Sequence, residues 1–283
     1  MPRLRLTIAY VGTHYHGWQI QARKDGEEPP TVQAFVEKAV SHVAGRPTHV
    51  QGAGRTDSGV HAEAQTAHCD IPEERSHVRW KLALNTLLPH DIRVLDARLA
   101  PDSFDACRSV FRKQYTYSLW LDQFCTPPRL YPFVWACGPL DLKRLDAAIP
   151  HLTGVHDFAS MQNAGTPHKS TVRTLFSIRR RSGNVLQNDG DCGGSVADVL
   201  AGLQEDRKRL DLVFEADGFL KQMVRNLTGL LAACGRGDFD PDDIPALLES
   251  RDRRRAPFTA PPQGLTMSSI WYKDEPMPPG WEK

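Results

Sequence analysis

The chain has 283 residues, 40% of them apolar and 24% charged. That is an ordinary globular balance, long enough for two packed domains, and it excludes disorder as a whole-chain description. Thirty-five basic and 34 acidic side chains leave a formal charge of +1, so net charge gives no argument for a nucleic-acid partner.

The start, Met1 to Tyr10, alternates Leu4, Leu6, Ile8 and Tyr10 inward and predicts a strand over 3–11 rather than a signal peptide. Thr31 reads as an N-cap. Val32, Phe35, Val36, Ala39, Val40 and Val43 follow at helical spacing and predict a buried stripe over 32–44, ended by Gly45. Strands are expected at 48–55 and 63–71, a helix near 77–88 carrying Trp80, Leu84, Leu87 and Leu88, and a strand at 91–99. The second half predicts a strand at 111–121, a helix at 141–152, strands near 171–181 and 208–217, a helix at 219–234, a short helix near 241–250 and a strand at 267–273.

This order predicts an α+β fold of two similar sandwich halves, with mainly antiparallel sheet, helices on one face and a cleft between the halves. Residues 1–103 and 104–273 form the expected domains, and 274–283 an irregular tail. The Gly- and Asp-rich stretch from 182 to 207 reads as a surface excursion. No apolar run approaches the ~20 residues that span a bilayer, so a soluble, cytoplasmic protein is expected. Cys69, Cys107, Cys125, Cys137, Cys192 and Cys234 form no Cys-x-x-Cys pair and read as reduced thiols rather than a zinc ribbon.

Residues 52–63, Gly-Ala-Gly-Arg-Thr-Asp-Ser-Gly-Val-His-Ala-Glu, hold the densest signal. Gly52, Gly54 and Gly59 allow positive φ and close backbone approach, so the segment can fold tightly while presenting Arg55, Thr56 and Asp57. The plain alternative is a turn whose Asp bonds its own backbone. Basic residues cluster at 108–113, 179–181, 207–209 and 251–255, each readable as a solvated face or as part of one basic side.

Gly54-Arg-Thr-Asp-Ser-Gly-Val-His-Ala62 resembles the signature of the TruA-type tRNA pseudouridine synthases. Tyr10 to Gln19, Phe104 to Arg108, Lys113-Gln-Tyr-Thr-Tyr117, Gly154 to Phe158, Phe219 to Asn226 and Pro262 to Leu265 look like further elements of that family, in order and across residues 4–273. Val11 stands where the family has Asp, and Lys221 and Gln222 stand where it has two histidines.

The resemblance implies isomerisation of uridine to pseudouridine at positions 38, 39 and 40 of the tRNA anticodon stem-loop, by a homodimer, without metal or organic cofactor. It makes Asp57 the catalytic carboxylate and Arg225 its charge partner. It sets Tyr115 against the uracil, Leu265 as an apolar wall and Arg55 in the space the flipped base leaves. A carboxylate sealed beneath a base needs such a partner, because desolvation alone favours its neutral form. Two other readings stand beside it: a non-catalytic RNA-binding protein on the same fold, and a metal-dependent hydrolase using His14, His16, His61, His68 and Asp57. The latter lacks the helical His spacing of known sites.

Overall fold

The computed structural model describes residues 1–21, 29–163, 170–182 and 208–273. The readings made on the excursion past Ser182, on Arg207, on Cys192 and on the tail from 274 lie outside these residues. The fold is α+β, with mostly antiparallel sheet and five helices among the described residues. Contacts divide the chain into two compact units, Met1–Gln114 with the segment from Thr266 on, and Tyr115–Leu265. The sequence reading divides the chain at 103/104 instead, with no return of the C-terminal strand to the first half.

In the first unit β1 (Arg3–Tyr10) lies between β3 (His61–Asp70) and β4 (Ile92–Ala100), antiparallel to both. β2 (Gln51–Gly52) pairs antiparallel with β3, and β10 (Leu265–Tyr272) joins β3 in parallel through Thr266 and His61. Leu4, Leu6, Ile8 and Tyr10 are all buried, as the two-residue period requires. Cross-strand Arg3 and Asp70 form a two-pronged ion pair, 2.8 and 3.0 Å, which holds the Asp70 carboxyl below its usual range.

Helix α1 (Val32–Ala44) ends where Gly45 takes φ 73°, and the N–H groups of Gly45 and Arg46 cap the carbonyls of His42 and Ser41. Val32, Val36 and Val40 are fully buried, each contributing roughly 1.5–3 kcal/mol by area. The expected stripe is off by one position at each edge. Phe35 is exposed and meets Tyr15 edge-on, while Gln33 and Ala44 are inside. Gln33 tolerates burial because its amide donates to Val50 O and Glu37. In α2 (Trp80–Leu87) Trp80 and Leu84 are buried, but Leu87 faces solvent and Leu88, just past the helix, takes the inside position.

The predicted strand at 48–55 is only two residues long. Its successors leave the ladder to build the Arg55–Asp57 loop, where backbone groups bond to neighbouring segments instead.

The turn after β4 is pinned to the sheet. His68 Nδ1 accepts from Ala106 N (3.1 Å), Tyr272 donates to Ala106 O (2.8 Å), and the Phe104 ring meets both aromatic neighbours. Burial, and next the nearby Arg3 charge, lower the pKa of His68. The unfolded chain therefore binds the proton more readily. The stabilisation is complete above the ordinary histidine value of about 6.5 and is lost as pH falls from there through the lower folded value. Thermal unfolding is expected to show a fall in Tm between pH 7 and pH 5 that is smaller in His68→Gln, whose carbonyl oxygen stays an acceptor. Identical slopes would place the acid sensitivity elsewhere.

β5 (Val110–Trp120), in the second unit from Tyr115 on, neighbours β9 (Arg209–Ala216), which continues to β8 (Val172–Ser182) and β7 (Gly154–Asp157); β8 is antiparallel to both its neighbours. β6 (Trp135–Ala136) adds to β5 in parallel. Neither β6 nor β7 is among the predicted strands. Helix α3 (Leu142–Leu152) is capped by Asp141, which accepts from the Lys143 and Arg144 amides. It packs on α4 (Met223–Arg236), and α5 (Ile244–Ser250) follows.

Helix α4 starts four residues later than predicted, because Gln222 adopts φ 62° and breaks the helical run after Phe219. From Met223 to Gly235 every residue but Arg225 is buried, so α4 is enclosed rather than striped. Small residues allow this. A Cβ on Gly229 would lie 2.0 Å from Phe258 O, and one on Gly235 3.1 Å from Leu140.

Candidate active site

The loop between β2 and β3 is held from beneath by the segment 10–18. Tyr10 and Thr56 share a buried hydroxyl hydrogen bond of 2.8 Å. Trp18 N donates to Thr56 O, Gly59 N and Ser58 Oγ to Tyr15 O, and Gly12 N to His61 Nδ1. Burial drives the Tyr10 pKa up, so its hydroxyl stays neutral and able to donate.

From the other side Gln65 Nε2 donates to Gly54 O (2.7 Å) and Lys113 Nζ to Ala53 O (2.8 Å). Val60 N closes the turn on Asp57 O at 3.2 Å. The side-chain order that results is simple: Thr56 is buried as the anchor, Asp57 half-buried, and Arg55 exposed.

Of the three glycines that allow positive φ or close approach, Gly59 uses the first, at φ 79°. Gly52 and Gly54 serve close approach instead. A Cβ on Gly52 would lie 2.5 Å from the Trp18 ring, and one on Gly54 3.0 Å from Lys113 Nζ. The strained backbone lies on the facing segment, where Gly17 has φ 89° and sits against Thr56 O.

The other candidate residues belong to the second unit. Tyr115 is 8% exposed and meets Phe219 edge-on, centroids 5.1 Å apart. Tyr117, two residues along β5, is fully buried. Burial raises its pKa, and its hydroxyl donates to Pro261 O at 2.6 Å. Arg225 is half-buried on the first turn of α4, and its Nε donates to Ala260 O at 2.7 Å.

Leu265, 5% exposed, begins β10. Just before it, Gly264 packs so closely on Tyr117 that a Cβ would lie 2.6 Å from the ring. The stretch 260–265 thus links Arg225, Tyr117 and Leu265 within one unit. Asp57 and Arg55 lie in the first unit, Tyr115, Arg225 and Leu265 in the second.

Several supports carried no legible assignment. Lys113 stood inside the Lys-x-Tyr-x-Tyr element without a role, and Gln65 had no signal, because its bond to Gly54 depends on strand register. Tyr10 reads as core and as the start of the Tyr10 to Gln19 element, without a role at the loop. Several members of the basic clusters form ion pairs: Arg179 with buried Glu215, Arg180 with Asp146, Lys208 with Asp122, Arg209 with Asp211, Arg251 with Asp157 and Arg254 with Asp252. His61 and His68 both accept backbone N–H groups. Among the described residues no group of three or more His, Cys, Asp or Glu side chains is arranged to hold a metal ion, and no helix is long and apolar enough to cross a membrane.

The family model described as tRNA pseudouridine synthase matches residues 6–108 and 148–273. Over 272 residues the chain is 47% identical to the tRNA pseudouridine synthase A of Lawsonia intracellularis, with 96% of this chain and 100% of that protein covered. It is 49% identical over 283 residues to that of Oleidesulfovibrio alaskensis, covering 99% of each. To that of Nitratidesulfovibrio vulgaris (strain DSM 19637 / Miyazaki F) it is 48% identical over 279 residues, covering 96% of this chain and 100% of the other.

Proposed function

This chain belongs to the tRNA pseudouridine synthase family, and on that premise we propose that it isomerises uridine to pseudouridine at positions 38, 39 and 40 of the anticodon stem-loop, with Asp57 as the catalytic carboxylate. The observation that carries the reading is the Arg55–Asp57 loop, whose backbone is bonded on both sides while Asp57 stays half-buried and Arg55 reaches outward.

The reaction breaks a glycosidic C–N bond and forms a C–C bond, with no net redox change and no water consumed. One carboxylate suffices for it. Attack at uracil C6, attack at C1′ and removal of a sugar proton all demand the same thing, an ionised carboxylate beside the base. Arg225 is the cation assigned to it, since an opposite charge within about 4–6 Å favours the ionised form. Its Nε donates to Ala260 O, which fixes one edge of the guanidinium.

A stem uridine must leave its stack, at a cost of a few kcal/mol. Stacking on Tyr115 returns roughly 1–3 kcal/mol, with the ring plane set by Phe219. Leu265 walls the opposite side of the base, Arg55 fills the vacated space, and phosphate contacts supply the remainder. The A-form groove hides base edges, so recognition by shape accommodates three neighbouring positions. A homodimer acting in the cytoplasm on tRNA completes the proposal.

The test uses tRNA tritiated at uracil C5, in versions with a single uridine at 38, 39 or 40. Release is expected from each and from none when all three are cytidine, with EDTA without effect. Tight binding with no release from any substrate would leave the non-catalytic RNA-binding reading in its place.

A further inference from the structure

One arginine of the basic cluster 251–255, Arg253, sits at the centre of a hydrogen-bond network behind Arg225. After α5, Arg251 takes φ 52° and bonds Asp157, and Asp252 caps the following turn by accepting from Arg254 N. The chain is thereby turned so that Arg253 points back toward α4. Its Nη1 donates to Ala256 O and Pro257 O (3.1 and 2.9 Å), and its Nη2 to Asn226 Oδ1 and Thr259 Oγ1 (3.0 and 2.9 Å). Thr259 in turn donates to Asn226 Oδ1 (2.7 Å), and buried Asn226 donates to Met161 O (2.8 Å).

One residue beyond Thr259, Ala260 makes a reciprocal pair with Arg225: its N–H donates to Arg225 O (3.1 Å), and its carbonyl accepts from Arg225 Nε (2.7 Å). The strap 256–260 lies directly on α4 because Gly229 has no Cβ where Phe258 O approaches.

We propose that Arg253 is a positioning residue for Arg225: by gathering four oxygens of the strap and of Asn226 it fixes Ala260 O, and through that carbonyl the plane of the Arg225 guanidinium. The proposal rests on the reading of Arg225 as the partner of Asp57. The physical reason is the geometry of the fork. A single Nε–H···O bond sets the orientation of a planar guanidinium only if the accepting carbonyl is itself immobile, and four bonds from one rigid cation immobilise it. A lysine keeps the charge but offers three donors from one point, and cannot span the four acceptors.

The test is a double-mutant comparison by single-turnover tritium release and by steady-state kinetics on tRNA. Arg253→Lys is expected to lower kcat about tenfold, in line with the cost of a small misplacement, with KM unchanged. In an Arg225→Lys background, which has no Nε to be held, the same substitution should change kcat less than twofold. Thr259→Val, which removes the bond from Arg253 and the bond to Asn226 without touching a charge, should follow the same pattern with about a threefold effect; it carries the comparison if Arg253→Lys does not fold.

Equal losses in both backgrounds would overturn the proposal, as would a lowered Tm with kcat untouched. Wild-type turnover in Arg225→Lys alone would instead overturn the role of Arg225, and is read separately from the Arg253 arms.

Discussion

Asp57→Asn is expected to lower tritium release by roughly 10⁴-fold or more, the scale seen when a group that acts in the covalent step is removed, while tRNA affinity stays at its wild-type value. The substitution keeps the shape of the side chain. The bonds that build the loop run from Asp57 O to Val60 N, from Thr56 to Tyr10 and Trp18, and from Gly54 O to Gln65, all of which an asparagine leaves in place. Only the negative charge is lost, and an amide can neither attack carbon nor remove a proton at neutral pH. Binding measured by filter retention separates this from a folding or docking defect. Turnover at the wild-type rate would remove Asp57 from the mechanism.

Gly17→Ala is expected to destabilise the protein by about 3 kcal/mol and to lower kcat about 100-fold. Two costs add. The φ of 89° puts an L-residue in the left-handed region, at roughly 1–2 kcal/mol, and the new Cβ would lie 2.4 Å from Thr56 O and 3.1 Å from the Asp57 carbonyl carbon, an overpacking that costs roughly 1–3 kcal/mol. The loop must retreat, carrying Asp57 with it, and a displacement of about 1 Å from productive geometry is worth the 100-fold. Gly237→Ala supplies the control. Its φ is 83°, yet nothing lies within 4 Å of the added carbon, so it should lose about 1 kcal/mol with turnover intact. Calorimetry and single-turnover rates on both variants check this. If the two behave alike, contact with the loop has no functional weight.

Much of the fold was legible where local chemistry decides it. The span of α1 follows from its apolar period and from Gly45, and β1 from strict alternation, because helix caps and strand faces are encoded within a few residues. Helix α4 shows the limit. Its apolar period runs back to Phe219, but Gln222 takes a left-handed conformation that no propensity predicts. The exposure of Phe35 and Leu87 is of the same kind: period places a residue near a face, while the neighbouring element decides which residue is covered. Arg179 reads as part of a basic run because its partner, Glu215, is 36 positions away on the next strand.

For the candidate site, the sequence by itself determined which reactive groups are present and how they are spaced, since Arg55, Thr56 and Asp57 are contiguous and Tyr115 and Tyr117 share a strand face. It also indicated that glycines must frame the loop. Only the tertiary structure decided what each glycine does and which groups hold the site rigid. Tyr10, Gln65 and Lys113 reach the loop from other strands, and Asn226, Arg253 and Thr259 anchor the strap behind Arg225. Such bonds join residues tens of positions apart through strand register and close backbone contact. Those follow from the packing of whole elements, and a local sequence period carries no record of them.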